Sequence, residues 1–385
     1  MYKIATLNKI SPAGLSRFAG HYTFTDKLES AEGILVRSQN MFDLNLSNNL
    51  LAIARAGAGT NNIPVDECSE RGIVVFNTPG ANANAVTELV IASMFMAARN
   101  LPDALGWVNS LSGDVTAEVE KGKGRFAGNE IKGKTIGVIG LGAVGVLVAN
   151  DAEKLGMRVI GYDPYITVKA AHSLSNNISI VADLGKLLPE CDYISIHVPA
   201  IDATEKMIDA NRFGQMKKGA FLLNFSRGSL VDKKSLFDAM KSGAVSKYIT
   251  DFPDDELLGK KDIICTPHLG ASTEEAEDWC AIMAADQMID YLENGNISNS
   301  VNYPECSMGP FSGAALCRVC IFNKNIPSML SKITSAFSGV NIRNMLNNSM
   351  GQYAYTMIDF DSEVDNENLL ECLRIGGVIG ARKIG

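Results

Sequence analysis

Histidine is scarce in this sequence, at four of 385 residues; tryptophan occurs twice, and there is no basic block and no long uninterrupted apolar run. Each shortage excludes something. A formal net charge of −8 without clustered lysine and arginine argues against nucleic acid or an anionic membrane surface as a partner. The most apolar stretches are broken by Glu88 or by glycines, and residues 1–7 lack the apolar core and small-residue cleavage site of a signal peptide. A soluble, cytoplasmic protein with no membrane contact is expected. The eight cysteines are scattered, which fits reduced and mostly buried side chains rather than a disulfide framework. Cys317 and Cys320 do form a Cys-x-x-Cys, but strand alternation over 317–322 would send them to opposite faces, so no metal site is expected.

Glycine, in contrast, is placed with purpose. Thr135-Ile136-Gly137-Val138-Ile139-Gly140-Leu141-Gly142-Ala143-Val144-Gly145 reads as a buried strand entering a helix through a Gly-x-Gly-x-x-Gly turn. Gly140 permits the tight turn, Gly142 lets bare backbone approach a pyrophosphate, and Gly145 lets the helix pack close to the strand. The amides of Ala143 and Val144 would then face phosphates. The next strand, 157–163, ends in Asp163, close to the roughly 20-residue spacing of the acid that holds an adenosine ribose 2′-hydroxyl. A carboxylate there with no arginine close behind favours NAD over NADP.

About 150 residues per domain suggests two or three domains. From residue 100 to 265 short apolar strands (178–182, 192–198, 220–225, 245–251) alternate with helices such as 233–242, the pattern of a doubly wound parallel sheet. A smaller α/β alternation fills 1–98, with strands near 3–7, 33–36, 51–54 and 73–76. Long helices at 85–99 and 273–293 look like crossovers between two lobes. The expected division is a discontinuous substrate-binding domain (1–98 and 266–302) and a cofactor domain (99–265). A third domain, 314–385, follows a loop at 302–313 and reads as a ferredoxin-like βαββαβ unit.

Open α/β sheets build their sites at the C-terminal ends of strands. There lie Arg227, in Asn-Phe-Ser-Arg-Gly, Glu256, in the loop after 248–251, and His268, in Thr-Pro-His-Leu-Gly. Oxidation of a hydroxyl carbon needs a base for the hydroxyl proton and a cation for a substrate carboxylate, jobs suited to His268 and Arg227. Glu256, or a neighbouring Asp254 or Asp255, would support the imidazole. His197-Val198-Pro199, at another strand end, is expected to line the cofactor.

Together with Phe126-Ala127-Gly128-Asn129-Glu130-Ile131-Lys132-Gly133-Lys134-Thr135, Tyr162-Asp163-Pro164 and Thr266-Pro267-His268-Leu269-Gly270-Ala271-Ser272-Thr273, these motifs give a chain that resembles the D-isomer-specific 2-hydroxyacid dehydrogenase family. The resemblance implies a Rossmann-like cofactor lobe and a flavodoxin-like substrate lobe around a cleft. It also implies Arg227, Glu256 and His268 as the catalytic trio, with NAD's nicotinamide end held by Asp251 and by Phe225, Ser226 and Arg227. Within the family it points to the members that oxidise 3-phospho-D-glycerate to 3-phosphonooxypyruvate, the first step of L-serine biosynthesis. Arg55-Ala56-Gly57-Ala58-Gly59-Thr60 resembles the family's substrate loop, which makes Gly57 and Ala58 substrate contacts and Arg37 and Arg55 candidates for the substrate phosphate. The tail resembles an ACT domain, a regulatory module, with Asn323, Asn325 and Asn341 at its effector positions and a homo-oligomer implied. Two other readings stand beside this one: a dehydrogenase for glycerate, hydroxypyruvate, lactate or 2-oxoglutarate, and a non-catalytic NAD-sensing regulator.

Overall fold

The structure, a computed structural model, describes residues 1–311 and 315–385; the end of the expected connecting loop and residue 314, the first of the expected third domain, lie outside the described residues. The chain forms two compact units, Met1–Ala81 with Glu277–Gly385, and Asn82–Ala276.

In the first unit, β1 (Tyr2–Leu7), β2 (Tyr22–Phe24), β3 (Gly33–Val36), β4 (Ala52–Arg55) and β5 (Val74–Phe76) form a parallel sheet of order β2-β1-β3-β4-β5. This is the flavodoxin-like order. β3 and β5 are buried throughout, as strands covered on both faces must be. One face packs Leu35, Ala54 and Phe76 with Ala281, Met288 and Tyr291 of the helix Glu274–Asn294. The other packs Ile34, Ile53 and Val75 with Met41, Ile63 and Cys68. The edge strand β2 is three residues long and mostly exposed, and it escaped the sequence reading.

In the second unit, β6 (Thr135–Ile139), β7 (Arg158–Tyr162), β8 (Ser179–Ile180), β9 (Tyr193–Ile196), β10 (Ala220–Asn224), β11 (Val245–Thr250) and β12 (Ile263–Cys265) run in the order β12-β11-β10-β9-β6-β7-β8. The order reverses between β6 and β9, and such a switch point is where a doubly wound sheet opens a crevice for ligands. The helix Ala143–Lys154 buries Gly145, Val148, Ala149 and Ala152; Leu155, expected on that stripe, is exposed at the C-cap instead. The helices Leu101–Asn109 and Val115–Gly122 bury no residue at all.

The C-terminal strands β13 (Cys317–Lys324), β14 (Ile342–Met350), β15 (Tyr353–Phe360) and β16 (Val378–Ile384) form an antiparallel sheet of order β14-β15-β13-β16, which with its two helices is the ferredoxin-like βαββαβ arrangement. Alternation along β13 works as expected. Cys317, Val319 and Ile321 face the helices Met329–Ala336 and Asn366–Leu373, while Cys320 and Phe322 join Phe76, Tyr291 and Tyr303 in the core of the first unit.

The stretch expected to be a simple link is therefore partly an anchor. The Tyr303 hydroxyl donates to the Ser69 carbonyl at 2.5 Å, and the Asn302 side chain donates to the Ile73 carbonyl and accepts from the Val75 amide, both at 2.9 Å. Pro304 is itself buried, so a proline there interrupts regular structure without preventing burial. Two tail arginines also cap the helix Glu274–Asn294. Arg318, paired with Asp359 at 2.7 and 3.0 Å, donates to the Asn294 carbonyl at 2.8 Å, and Arg382 donates to the carbonyls of Tyr291 and Leu292 at 2.5 and 3.2 Å. Cations suit this helix end, where carbonyls lack partners. Among the described residues no helix is long and apolar enough to cross a membrane.

Candidate active site

The glycine turn behaves as its sequence demands. Gly140 has φ +91°, and a Cβ there would lie 2.7 Å from the His197 carbonyl carbon and oxygen. A Cβ on Gly145 would lie 1.9 Å from the Gly140 carbonyl oxygen, so only glycine fits that packing. At Gly142, by contrast, a Cβ would meet nothing within 4 Å; the residue is exposed, and as N-cap it supplies no side chain to the helix. The amides of the Ala143–Lys154 helix start therefore sit bare beside open space at the sheet's switch point, which is the arrangement that accepts a diphosphate. The residues present fit NAD.

Asp163 stands at the end of β7 as expected, but it also holds the turn. Its carboxylate accepts from the amides of Leu141 and Tyr165, each at 2.8 Å. His197 follows β9; burial pushes its imidazole down to about 4, and its Nε2 lies 2.8 Å from the Ser195 hydroxyl, so it is neutral near pH 7. Val198 lies beside Gly140, and Pro199 is exposed at the same strand end.

Arg227 and His268 each approach one ring, that of Phe252. The buried Asn224 shapes the first loop, donating to the Arg227 carbonyl at 2.8 Å and accepting from the Ser226 amide at 3.2 Å, while the Ser226 hydroxyl reaches the Ile196 carbonyl at 2.9 Å. Phe225 is buried and Arg227 is exposed, with one guanidinium nitrogen donating to the Ser226 carbonyl at 2.7 Å. That guanidinium lies 5.8 Å from the Phe252 ring centroid, and the His268 ring lies 4.9 Å from the same ring on an exposed loop.

Asp251, expected to contact the nicotinamide end, is 1 % exposed and spends both oxygens on the histidine loop. Oδ1 accepts from the Thr266 hydroxyl at 2.7 Å and the Leu269 amide at 2.8 Å, and Oδ2 accepts from the Gly270 amide at 2.8 Å. Between those anchors His268 takes φ +54°, a left-handed conformation that costs a non-glycine residue roughly 1–2 kcal/mol. Asp251 holds that strain in place.

Glu256 is not brought to His268. Its side chain is 62 % exposed and its Oε2 lies 3.4 Å from Lys233 Nζ. Lys233 also donates to Asp254 at 2.9 Å, and Asp254 accepts from the Glu256 and Leu257 amides. Burial opposes ionisation of Asp254, but Lys233 and these amides hold its carboxyl below the usual range. Phe252, Lys233, Asp254 and Glu256 share the wall of a cavity of about 620 Å³.

In the first unit Arg37 and Arg55 stand at the ends of β3 and β4. Arg55 Nε donates to the Arg37 carbonyl at 3.0 Å, and Arg37 is ion-paired with Glu277 at 2.6 Å. The Gly57 amide donates to the Thr78 hydroxyl at 2.8 Å, and the Ala58 carbonyl accepts from Asn77 at 2.6 Å. In the tail, Asn323 is buried, with its Nδ2 on the Lys324 carbonyl and its Oδ1 without a partner. Asn325 bonds the Gly351 carbonyl, whereas Asn341 bonds Asp361 at the opposite end of the sheet. One copy of the chain does not bring Asn325 and Asn341 together.

Sequence reasoning missed Asn224, Phe252, Lys233 and Glu277. Asn224 acts within its own loop, while Phe252, Lys233 and Glu277 meet residues 16 or more positions away, which no local spacing announces. Among the described residues no group of three or more His, Cys, Asp or Glu side chains is placed to hold a metal.

Comparison with known proteins supplies the family. The sequence model of a family described as "D-isomer specific 2-hydroxyacid dehydrogenase, NAD binding domain" matches residues 91–270. D-3-phosphoglycerate dehydrogenase 1 of Saccharomyces cerevisiae is 33 % identical over 371 residues, covering 89 % of this chain and 76 % of that protein. A D-3-phosphoglycerate dehydrogenase of Methanocaldococcus jannaschii is 37 % identical over 291 residues, 72 % of this chain and 53 % of that one. The crystal structure of NAD+-bound 3-phosphoglycerate dehydrogenase from Entamoeba histolytica superposes with a TM-score of 0.61 at 27 % identity, covering 78 % of this chain and 98 % of that one. With its glycine turn, its arginine and its histidine in the expected order on the expected sheet, the chain belongs to the D-isomer-specific 2-hydroxyacid dehydrogenase family.

Proposed function

We propose that this protein oxidises 3-phospho-D-glycerate at C2 to 3-phosphonooxypyruvate with NAD, the first step of L-serine biosynthesis. The observation that carries the reading is that Arg227 and His268 both lie near the Phe252 ring, in the same unit as the bare helix start at the switch point. NAD, when bound, supplies the hydride acceptor. Gly142, Ala143 and Val144 would take its diphosphate and Asp163 its ribose, while His197, Val198 and Pro199 line its path. His268 takes the hydroxyl proton, and the Arg227 guanidinium grips the substrate carboxylate, a planar fork meeting a planar anion. Glu256 supports the imidazolium in this scheme once it leaves Lys233. Arg37 and Arg55 serve the phosphate, beside the loop that carries Gly57 and Ala58, because a dianion in a protein of net charge −8 needs local guanidinium groups.

The division of labour follows: 1–98 with 266–302 for substrate, 99–265 for NAD, and 314–385 as an ACT-like regulatory domain. Serine is the leading effector; because Asn325 and Asn341 lie at opposite ends of one sheet, an effector touching both would need two copies. Self-association is further supported by the unburied helices Leu101–Asn109 and Val115–Gly122, which expose Leu101, Leu105 and Val108. We place the protein in the cytoplasm. The deciding experiment follows NADH formation by absorbance with 3-phospho-D-glycerate, D-glycerate, D-lactate and 2-hydroxyglutarate, each with and without L-serine. The phosphorylated acid should show the highest kcat/KM. Equal or greater kcat/KM for an unphosphorylated acid would move the chain to another activity of the family, and no turnover would favour an NAD-sensing role.

A further inference from the structure

At the C-terminal end of the first sheet, Arg37 follows β3 directly, with its side chain 39 % exposed. A long side chain so placed has many rotamers, and fixing it costs up to about 2 kcal/mol. Its one ion-pair partner among the described residues is Glu277, at 2.6 Å from one terminal nitrogen of the guanidinium. A guanidinium carries five donors in a planar fork, so a carboxylate on one nitrogen leaves the rest of the fork for a second anion. Arg55 bonds the Arg37 carbonyl, so the backbone beneath is fixed as well. Glu277 lies in the first turn of the helix Glu274–Asn294, where the helix dipole favours an acidic side chain. The helix dipole thus favours the ionised carboxylate whether or not Arg37 stays on it.

We infer that Glu277 is a positioning residue for substrate specificity: it holds Arg37 in the orientation that receives the substrate phosphate. The inference rests on the phosphoglycerate reading above. Glu277 itself touches neither substrate nor cofactor; it lowers the ordering cost of binding a phosphorylated acid and does nothing for an acid without phosphate.

The test compares wild type, E277Q, R37M and the double variant. E277Q should raise KM for 3-phospho-D-glycerate about three- to five-fold, the upper end of what an exposed ion pair is worth, with kcat and the KM for D-glycerate nearly unchanged from wild type. R37M should raise the same KM and make E277Q silent in the double variant. A second readout needs no turnover: titration of inorganic phosphate into the full chain should give weaker binding for E277Q than for wild type. An unchanged or lowered KM for the phosphorylated acid, an equal rise for both acids, or equal phosphate binding by the two proteins would overturn the inference. If wild type fails to oxidise 3-phospho-D-glycerate while E277Q still weakens phosphate binding, the proposed activity falls and the positioning role stands.

Discussion

Replacement of Asp251 separates two roles for that residue. As a nicotinamide contact its loss would weaken NAD binding; as the anchor of the 266–270 loop its loss would disturb His268. The geometry supports the second. Asp251→Ala leaves the Leu269 and Gly270 amides without acceptors, at about 1–3 kcal/mol each if they stay buried, or about 2–6 kcal/mol together. A whole protein has only about 5–15 kcal/mol of stability. The loop will therefore open locally to hydrate those amides, and His268 will relax from φ +54°. A shift of about 1 Å in a reacting group costs on the order of 100-fold in rate. The expected result is a fall in kcat of about 100-fold at saturating NAD, with the Kd for NADH, read by fluorescence titration, within about three-fold of wild type. Asp251→Asn keeps Oδ1 for Thr266 and Leu269 but turns an NH2 toward the Gly270 amide, so it should fall between the two. A variant with unchanged kcat and a Kd weakened tenfold or more would refute the anchoring role.

Other consequences can be checked alongside it. Gly145→Ala places a methyl group 1.9 Å from the Gly140 carbonyl, so the helix must shift; about 1–3 kcal/mol of stability and most NADH affinity should go, seen by thermal melting and titration. His197 has a folded-state pKa of about 4, below its ordinary 6.5, so the unfolded chain binds the extra proton. Its contribution is complete above pH 6.5 and is lost as pH falls toward 4, at no more than about 1.4 kcal/mol per pH unit, and His197→Asn should flatten denaturant-derived stability over that window. Arg318→Met strips a buried partner from Asp359 and should cost about 3–5 kcal/mol, with a clear drop in Tm; a matched Arg318→Met, Asp359→Leu pair should recover much of it.

The parts of this molecule that were legible in its sequence are those whose cause is local. Gly145 answers a steric demand from the Gly140 carbonyl, five residues before it, and the alternation along 317–322 places Cys317 and Cys320 on opposite faces without knowledge of what covers them. What was not legible depends on distant partners. The proline- and glycine-bearing segment after 302 reads as a link, yet Tyr303 is fully buried because Ser69 and Phe322 lie around it. Glu256 lies in the loop after β11, but Lys233, at the start of the helix Lys233–Ser242, decides where its carboxylate points. Asp251 was expected at the cofactor, and the acceptors it supplies to Leu269 and Gly270 become visible only when two strands are side by side.

The claim at the centre of this account is that His268 takes a proton from the substrate hydroxyl in an NAD-dependent oxidation. The direct measurement is initial NADH formation from 3-phospho-D-glycerate by wild type and His268→Asn, with NADH binding titrated on the same preparations. The account predicts ready turnover by wild type and a loss of several orders of magnitude in kcat for the variant, at nearly unchanged NADH affinity. Turnover by His268→Asn close to that of wild type would contradict it.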